Sequence, residues 1–308
     1  DQRTESLEVA VQEQGVPTEQ CFTDACQLLQ QTQPECVIVA TTAPSHCEYT
    51  CMAAEAGAGY ILCEKPMAIG LAQCDRMIAV CKRLEVKLAI NHQMRFMQQY
   101  VEPKGIAESE AFGGLSSVTV VAGNLGMAMN GTHYFEMFRF LTNEASFQVT
   151  AWFSPEKFPN PRGPQFIDRA GAVRLTTASG KRFYMDMGAD QGIGTKVIYS
   201  GPYGQLAVDE HGGTMHLAVR ETKYRKEPTT RYMMPWIETH YKIAASSSAG
   251  PTRAVLDALL NDKGAPTGED GRLAVAVLVA AHVSDETGNI PVSVGSSELP
   301  LDRLFPWP

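Results

Sequence analysis

Up to about residue 92, the chain alternates helical segments with short, continuous apolar runs. Runs of this length are too short for helices and are typical of parallel strands buried on both faces. Helices and strands that alternate at this spacing imply right-handed crossovers and a parallel sheet. The predicted strands are CVIVATT (36–42), YILCEKP (60–66) and VKLAI (86–90). Two predicted helices cover 4–14 and 71–84. Of the other two, one has Thr23 as its N-cap and carries Leu28 and Leu29, and one runs from Pro44 to Gly57.

After residue 115 the pattern changes to strict alternation of polar and apolar residues between glycine-rich turns. This alternation predicts a mostly antiparallel sheet with one covered face. Helices at 133–141, 252–261 and 270–286, each apolar on one side, are expected to cover that face. The predicted strands are LSSVTVVAG, FQVTAWFS, GAVRLTTASG, KRFYMDMG, TKVIYSG and QLAVDE; PEKFPNPRGP (155–164) is predicted to be a loop and GADQGIG (188–194) a turn.

Composition narrows the class of protein. A chain of 308 residues suits two domains, and its net charge of −8 argues against a nucleic-acid or anionic-membrane partner. No apolar run approaches the roughly 20 residues needed to cross a bilayer, and the polar N-terminus has no signal-peptide pattern. All eight cysteines fall within the first 81 residues. Because no CxxC pair occurs, we expect reduced, buried thiols in a cytoplasmic protein and no metal site.

Ligands of an open α/β sheet bind outside the carboxyl ends of its strands. Here those ends carry Thr41-Thr42-Ala43-Pro44 and Glu64-Lys65-Pro66. The segment VIVATTAPSHCEYTCMAAEAGAGYILCEKPMA, followed by AINHQMRF (89–96), resembles the glucose-fructose oxidoreductase/inositol dehydrogenase family of NAD(P)-dependent enzymes. TGEDGRLAVAVLVAAHVSDETG (267–288) is similar to a late helix of the same family, so the resemblance extends through the chain.

The resemblance implies an α/β fold class with two domains. Residues 1–115 would form a Rossmann domain that lacks its first strand and glycine loop, and residues 116–308 an α+β domain with a large, mostly antiparallel open sheet for substrate binding and oligomerisation. Asp1 aligns with the acidic residue that ends the family's second strand, so roughly 30 to 40 residues would precede it.

The resemblance also implies roles for individual residues. Lys65 would hold a substrate hydroxyl or carbonyl and share its proton, and His133, aligned with a catalytic histidine, would accept that proton with a pKa near working pH. Arg95, which follows the third strand, would bind the substrate or else pair with a carboxylate between domains. The implied cofactor-binding residues are Asp1, Thr41, Thr42, Ala43, Pro44, His46, Glu64 and Lys65, and the implied substrate-binding residues are Arg95, Asn91, His92 and Asn130.

One position departs from the family pattern. Many members carry an aspartate four residues before the histidine, where this chain has Met129. Three functions therefore stay open: a dehydrogenase or reductase acting on a sugar, polyol or related compound, an NAD-dependent glycosidase, and a non-catalytic sugar-binding or regulatory relative. The presence of both Lys65 and His133 favours the enzymes.

Two further expectations concern cofactor and assembly. Asp1 would hydrogen-bond a free ribose 2′-hydroxyl and so favours NAD, although Arg3 could accept the 2′-phosphate of NADP. A sheet with apolar or β-branched residues on both faces predicts a homodimer or homotetramer, because large apolar surfaces are rarely left in water.

Overall fold

A computed structural model of the chain contains a three-stranded and a nine-stranded sheet with helices between and around them. The structure describes residues 1–156, 158–192, 194–230, 232–244 and 248–308. Lys157 of the proline-rich segment and Ile193 of the glycine-rich turn lie outside these residues. The helices are α1 (Thr4–Gln14), α2 (Ala25–Thr32), α3 (Ala43–Glu55), α4 (Leu71–Arg83), α5 (Gln98–Glu108), α6 (Thr132–Thr142), α7 (Ala249–Leu260) and α8 (Gly268–Glu286).

The strands confirm the two patterns predicted from the sequence. The first sheet contains β1 (Cys36–Val39), β2 (Tyr60–Cys63) and β3 (Lys87–Ile90), all parallel and in that order. The second contains β4 (Ser117–Gly123), β5 (Phe147–Phe153), β6 (Gly171–Thr177), β7 (Arg182–Gly188), β8 (Thr195–Ser200), β9 (Gly204–Asp209), β10 (Thr214–Arg220), β11 (Trp236–Lys242) and β12 (Val292–Ser293).

The second sheet runs β11-β10-β9-β8-β4-β7-β6-β5-β12, and β4 and β7 are its parallel pair among otherwise antiparallel neighbours. The described residues of GADQGIG link β7 to β8 and open no helix, in agreement with the predicted turn. Alternate residues of the strands, such as Val118, Val120 and Phe183, are fully buried beneath α6 and α8. The opposite, outer face carries no helix among the described residues.

Helix α5 and strands β10, β11 and β12 were not among the elements predicted from the sequence, and several details also differ from the predictions. The N-cap of α2 is Asp24, whose carboxylate accepts from the backbone N–H of Gln27 at 2.7 Å, and not Thr23. Strand β1 is not buried on both faces: it lies at an edge of its sheet, and Ile38 is 53% exposed. Helix α7 does not cover the antiparallel sheet; Val255 and Leu259 pack on Leu62 and Ala89 of the parallel sheet.

Helix α8 is buried on nearly all sides, whereas the sequence suggested one apolar side. Residues 274–281 (AVAVLVAA) are each at most 2% exposed. The helix packs on α4 and β3 at one side and on α6 and β5 at the other, which explains why it needs no polar face along this stretch. It begins with a capping box formed by Thr267 and Asp270. Helix α8 therefore joins the cores of the two sheets into one.

All eight cysteines are free, and five of them are buried. Cys26 is exposed and Cys21 and Cys36 are half-buried, so the prediction of buried thiols is wrong for these three. Burial raises the pKa of the Cys47 thiol to about 11, so the thiol form dominates at neutral pH. In the described part of the chain, no helix is long and apolar enough to cross a membrane.

His282 of α8 lies in an aromatic cluster near the end of the chain. Its ring contacts Phe153, Phe305 and Trp307, with centroid distances of 4.7, 4.8 and 5.7 Å. Burial lowers the pKa of this imidazole to about 4, because the apolar surroundings disfavour the charged form. The folded protein therefore holds His282 neutral at pH values where the unfolded chain would protonate it.

We expect His282→Phe to reduce the loss of stability in acid. Since the folded-state pKa lies below the unfolded value of about 6.5, the contribution of His282 is complete above that pH and declines as pH falls toward 4. Between pH 7.5 and pH 5 the parent protein should lose about 2 kcal/mol of unfolding free energy that the variant retains. Urea unfolding at both pH values measures this difference. The exposed His211→Gln is the control; an equal effect there would contradict the assignment.

Candidate active site

The carboxyl edge of the parallel sheet carries the first group of predicted residues. Thr41 and Pro44 are exposed where β1 passes into α3, and Thr42 is half-buried. The hydroxyl of Ser45 donates to Thr41 Oγ1 at 2.8 Å, which fixes the loop at the start of the helix. Ala43 is fully buried and therefore packs beneath the loop. Thr41, Thr42 and Pro44 form a surface that a cofactor could contact.

His46 supports this loop from below and does not line its surface. The ring is fully buried, with Nδ1 2.9 Å from the carbonyl oxygen of Pro66 and Nε2 3.1 Å from that of Thr41. Burial lowers its pKa in spite of these two carbonyl contacts. His46 thus ties the end of β1 to the segment after β2, and the predicted cofactor contact is replaced by this structural one.

Glu64 and Asn91 form a pair at the ends of β2 and β3. The amide of Asn91 donates to Glu64 Oε1 at 2.6 Å and lies 3.1 Å from the hydroxyl of Thr252 on α7. Asn91 is 2% exposed, and its Oδ1 has no hydrogen-bond partner. Asn91 therefore orients the Glu64 carboxylate, which is a different role from the substrate contact predicted for it.

Lys65 reaches from the parallel sheet to the segment that precedes α6. Its ammonium donates to the carbonyl oxygen of Met129 at 2.5 Å. Burial lowers its pKa, and the Glu64 carboxylate opposes that shift. The Met129 contact uses one of the three ammonium hydrogens, so two remain for a ligand. A lysine with a weakened hold on its proton, placed at a strand end, is suited to share that proton with a bound hydroxyl.

His133 and His92 face each other beside Lys65. Their rings meet edge to face with centroids 5.6 Å apart, and burial lowers the pKa of both, that of His92 to about 3. The nearby Lys65 ammonium lowers both pKa values further. The prediction that the His133 pKa lies near working pH is therefore wrong: the imidazole is neutral throughout the physiological range. A neutral imidazole is a competent proton acceptor.

Buried polar atoms without partners mark the space between these side chains. Both ring nitrogens of His92 and Nδ1 of His133 are buried and have no hydrogen-bond partner. Such atoms are rare in folded proteins because each costs about 1–3 kcal/mol when left unpaired. Several of them together beside a lysine indicate a site that a polar ligand completes.

Asp168 also belongs to this site, and sequence reasoning missed it. Its two carboxylate oxygens accept from the backbone N–H groups of Ala128 and Met129 at 2.7 and 2.8 Å. Burial raises the pKa of Asp168 to about 6, although the two amides and the Lys65 charge oppose the shift. The carboxylate approaches Gly126 so closely that a Cβ there would lie 2.2 Å from Oδ2. The available signal was a single acid in the stretch QFIDRA (165–170), which directly precedes a predicted strand.

Asn130 and Arg95 are engaged elsewhere. The amide of Asn130 donates to the carbonyl oxygen of Leu125, within the turn that precedes α6. Arg95 is 8% exposed and pairs with Glu136 and with Asp270, the latter at 2.9 Å. Of the two alternatives for Arg95, the structure shows the pairing with carboxylates, although Nε of Arg95 has no hydrogen-bond partner.

Asp1, which would favour NAD, and Arg3, which could accept the 2′-phosphate of NADP, contact each other. The backbone N–H of Arg3 donates to Asp1 Oδ1 at 2.9 Å, and the guanidinium Nε lies 3.4 Å from the same oxygen. Both side chains are exposed, so this ion pair contributes little to stability.

A separate groove of about 580 Å³ lies between α3 and α4 and is lined by Cys47, Cys51, Glu48, Arg76 and neighbouring residues. It contains neither Lys65 nor His133. None of the residues that line this groove has a buried polar atom without a partner, in contrast to His92 and His133 beside Lys65.

The architecture matches solved structures over nearly the whole chain. An oxidoreductase from Agrobacterium radiobacter, crystallised with NAD+, L-tartaric acid and magnesium, has a TM-score of 0.78 over 96% of this chain and 90% of its own, at 18% identity. Similarity at this identity establishes the fold: a Rossmann-like parallel sheet joined to a large, mostly antiparallel sheet.

Sequence comparison then identifies the family of the first segment. Residues 1–92 match the family described as "Oxidoreductase family, NAD-binding Rossmann fold", which confirms the resemblance to the glucose-fructose oxidoreductase/inositol dehydrogenase family. Over 96 residues the chain is 38% identical to a D-apiose dehydrogenase of Paraburkholderia graminis, and over 113 residues it is 28% identical to a myo-inositol 2-dehydrogenase of Thermotoga maritima. These matches cover 31% and 37% of this chain but only 25% and 33% of the two relatives.

Proposed function

We propose that this protein is a nicotinamide-dependent oxidoreductase that transfers a hydride between its cofactor and a hydroxyl or carbonyl group of a sugar, polyol or related compound. The observation that carries the proposal is the meeting of Lys65, His133 and His92, with three unpartnered ring nitrogens, at the carboxyl edge of the parallel sheet. The dehydrogenase names of the two sequence relatives and the NAD-binding family match support it.

The residues present fit the nicotinamide end of such a cofactor. Thr41, Thr42 and Pro44 offer an accessible surface at the start of α3, and the Glu64 carboxylate is held in place by Asn91 to accept a ribose hydroxyl. When bound, the cofactor supplies the hydride acceptor or donor. We propose NAD as the preferred form, because Asp1 would accept a hydrogen bond from a free 2′-hydroxyl.

The side chains of this site would accept and return one proton of the substrate hydroxyl. The Lys65 ammonium donates a hydrogen bond to the substrate oxygen and polarises it, while it keeps its contact with the carbonyl oxygen of Met129. His133, neutral because it is buried, accepts the hydroxyl proton during oxidation and returns it during reduction. His92, also neutral, offers a further ring nitrogen to a neighbouring substrate hydroxyl. The many hydroxyl groups of a sugar or polyol match these polar atoms.

Asp168 would supply the carboxylate that Met129 cannot. The chain has methionine at the position where many relatives carry an aspartate, yet Asp168 binds the backbone of that same methionine from another segment. Its charge acts on Lys65, whose pKa it raises against the effect of burial. Asp168 is thus a positioning residue: together with Glu64 it favours the charged form of Lys65, and it holds the turn that leads into His133.

We further propose that the outer face of the nine-stranded sheet forms a homodimer, or one interface of a homotetramer. Val121, Trp152 and Tyr184 lie on this face and are 41%, 49% and 38% exposed. They lie on β4, β5 and β7, with Ala172, Arg174 and Asp186 of β6 and β7 among them. Large apolar side chains exposed together on one face of a sheet favour an interface.

The catalytic proposal predicts that Lys65→Met and His133→Asn each lower kcat by roughly 10²–10⁴-fold with little change in cofactor affinity. Methionine keeps the packing of the lysine stem and removes its charge. Turnover is measured on a panel of polyols and aldoses by the absorbance of reduced nicotinamide, and cofactor affinity by fluorescence titration with NADH and NADPH. Near-normal turnover of Lys65→Met would show that Lys65 is not catalytic, and absence of turnover in the parent protein on the whole panel would favour a non-catalytic binding protein. Tighter NADPH binding would overturn the NAD preference.

Asp168→Asn should change the pH profile of the reaction. Since the Asp168 pKa is about 6, its charge is present above that pH and is lost below it, so activity of the parent protein should fall as pH drops through 6. Asparagine removes the charge at every pH; we expect roughly tenfold lower kcat at pH 7.5 and no acidic limb near pH 6. The exposed Asp302→Asn, outside both sheets, is the matched control. An unchanged limb in Asp168→Asn would exclude this role.

The assembly proposal predicts that Trp152→Glu combined with Tyr184→Glu converts the protein to a monomer at micromolar concentration. Two buried carboxylates would be left without partners in the interface, which strongly disfavours association. Multi-angle light scattering measures the mass. Tyr232→Glu, at a residue 93% exposed but outside the sheet, should leave the assembly intact. A monomeric parent protein would refute the proposal.

A further inference from the structure

A second cluster of ionisable side chains lies on the outer face of the nine-stranded sheet, opposite the face that α6 covers. His216 on β10 stands directly across from His240 on β11, and Glu238 lies two residues before His240 on the same face. One potential ligand atom from each of the three lies within 4.8 Å of the others. The cluster shares no residue with the proposed active site and was not anticipated from the sequence, which predicted no metal site.

The two imidazole rings are aligned and incompletely bonded. They stack in parallel with centroids 4.4 Å apart and an interplanar angle of 4°. Nε2 of His216 is buried without a hydrogen-bond partner and lies 3.7 Å from Glu238 Oε2, beyond hydrogen-bonding distance. This ring nitrogen is close to a carboxylate oxygen and beside a second imidazole, and a metal ion bound by the three side chains would supply its missing partner once the stacked rings tilt toward the ion.

The surroundings orient the carboxylate and leave room for adjustment. The indole N–H of Trp236 donates to Glu238 Oε1 at 2.9 Å, which leaves Oε2 directed toward His216. Hydrogen bonds of this kind to a metal ligand fix its orientation. The neighbours of the cluster in the sheet are Ala207 on β9 and Ala218 on β10. These small residues allow the histidine rings to tilt toward a common centre.

We propose that His216, Glu238 and His240 bind a divalent transition-metal ion of the Zn²⁺ type. Two imidazoles and one carboxylate are a donor set that Zn²⁺ accepts in tetrahedral geometry, with water in the fourth position. Bonds of about 2.0–2.1 Å require ligand atoms about 3.3 Å apart, so the side chains would close by about 1.5 Å from their present separation. Rotation of partly exposed side chains is sufficient for this.

The ion would fasten the edge of the sheet. Strand β11 is the last strand on its side and pairs with β10 alone. One metal held by side chains of both strands would link them across their hydrogen-bonded ladder and stabilise the edge. The site therefore has a structural role in this proposal, independent of the oxidoreductase activity.

Equilibrium dialysis of metal-free, tag-free protein against Zn²⁺, followed by elemental analysis, tests the proposal. We expect one Zn²⁺ per chain in the parent protein and in Lys65→Met. His216→Asn and His240→Asn should each weaken binding roughly 100-fold, and Trp236→Phe roughly tenfold through the loss of the orienting hydrogen bond. Mg²⁺, which prefers oxygen ligands, should not compete at millimolar concentration.

His211→Asn provides the matched control, because His211 is exposed on the β9–β10 turn but outside the cluster. It should bind Zn²⁺ like the parent protein. Thermal unfolding adds a second measurement: Zn²⁺ should raise the Tm of the parent and of His211→Asn but not that of His240→Asn. Absence of stoichiometric Zn²⁺, or equal affinity in the His216, His240 and His211 variants, would overturn the proposal.

Discussion

The arrangement of the site depends on one buried network of charges. Asp270, at the start of α8, accepts from Arg95 after β3 and forms an ion pair with Arg139 of α6, whose Nε lies 3.2 Å from Asp270 Oδ1. The fully buried Glu136 binds the same two guanidinium groups. Removal of one member of such a network leaves an uncompensated buried charge, at a cost of about 3–5 kcal/mol. The network fixes the position of α6 relative to the parallel sheet, and with it the separation of His133 from Lys65. The close contact between the Lys65 ammonium and the carbonyl oxygen of Met129 depends on this placement of α6 relative to the parallel sheet.

Most of the fold could be predicted from the sequence because hydrophobic periodicity was informative in most elements. The four elements α3, β2, α4 and β3 follow directly from the apolar pattern, with Pro44, Gly57 and Pro66 at their boundaries. Helix α7 could not be placed, because its apolar stripe fits the face of either sheet and only the tertiary structure selects Leu62 and Ala89 as its partners. The position of helix α8 could be predicted. Its burial on nearly all sides could not, because predictions from amphipathicity assume that one side of a helix faces solvent.

The site was predictable where a residue follows a strand and unpredictable where it depends on the rest of the chain. Lys65 and Glu64 are placed by the end of β2, and the structure brings His133 and His92 to them. Asp168 lies in a loop without periodicity, so no pattern relates it to Met129. His46 and Arg95 carry groups suited to ligands, but their burial against Pro66 and Glu136 assigns them to the framework. Exposure and partners decide such cases, and neither is visible in a sequence.

The positions of the cysteines make thiol modification a probe of opening around the parallel sheet. Every cysteine lies between residues 21 and 81, and burial raises the pKa of Cys47, Cys51, Cys63, Cys74 and Cys81. A thiol-specific reagent can modify these five only when the packing around the parallel sheet opens, because both access and thiolate formation are suppressed in the folded state. The rate of alkylation would therefore follow opening of that half of the molecule separately from the large sheet, which has no thiol at all.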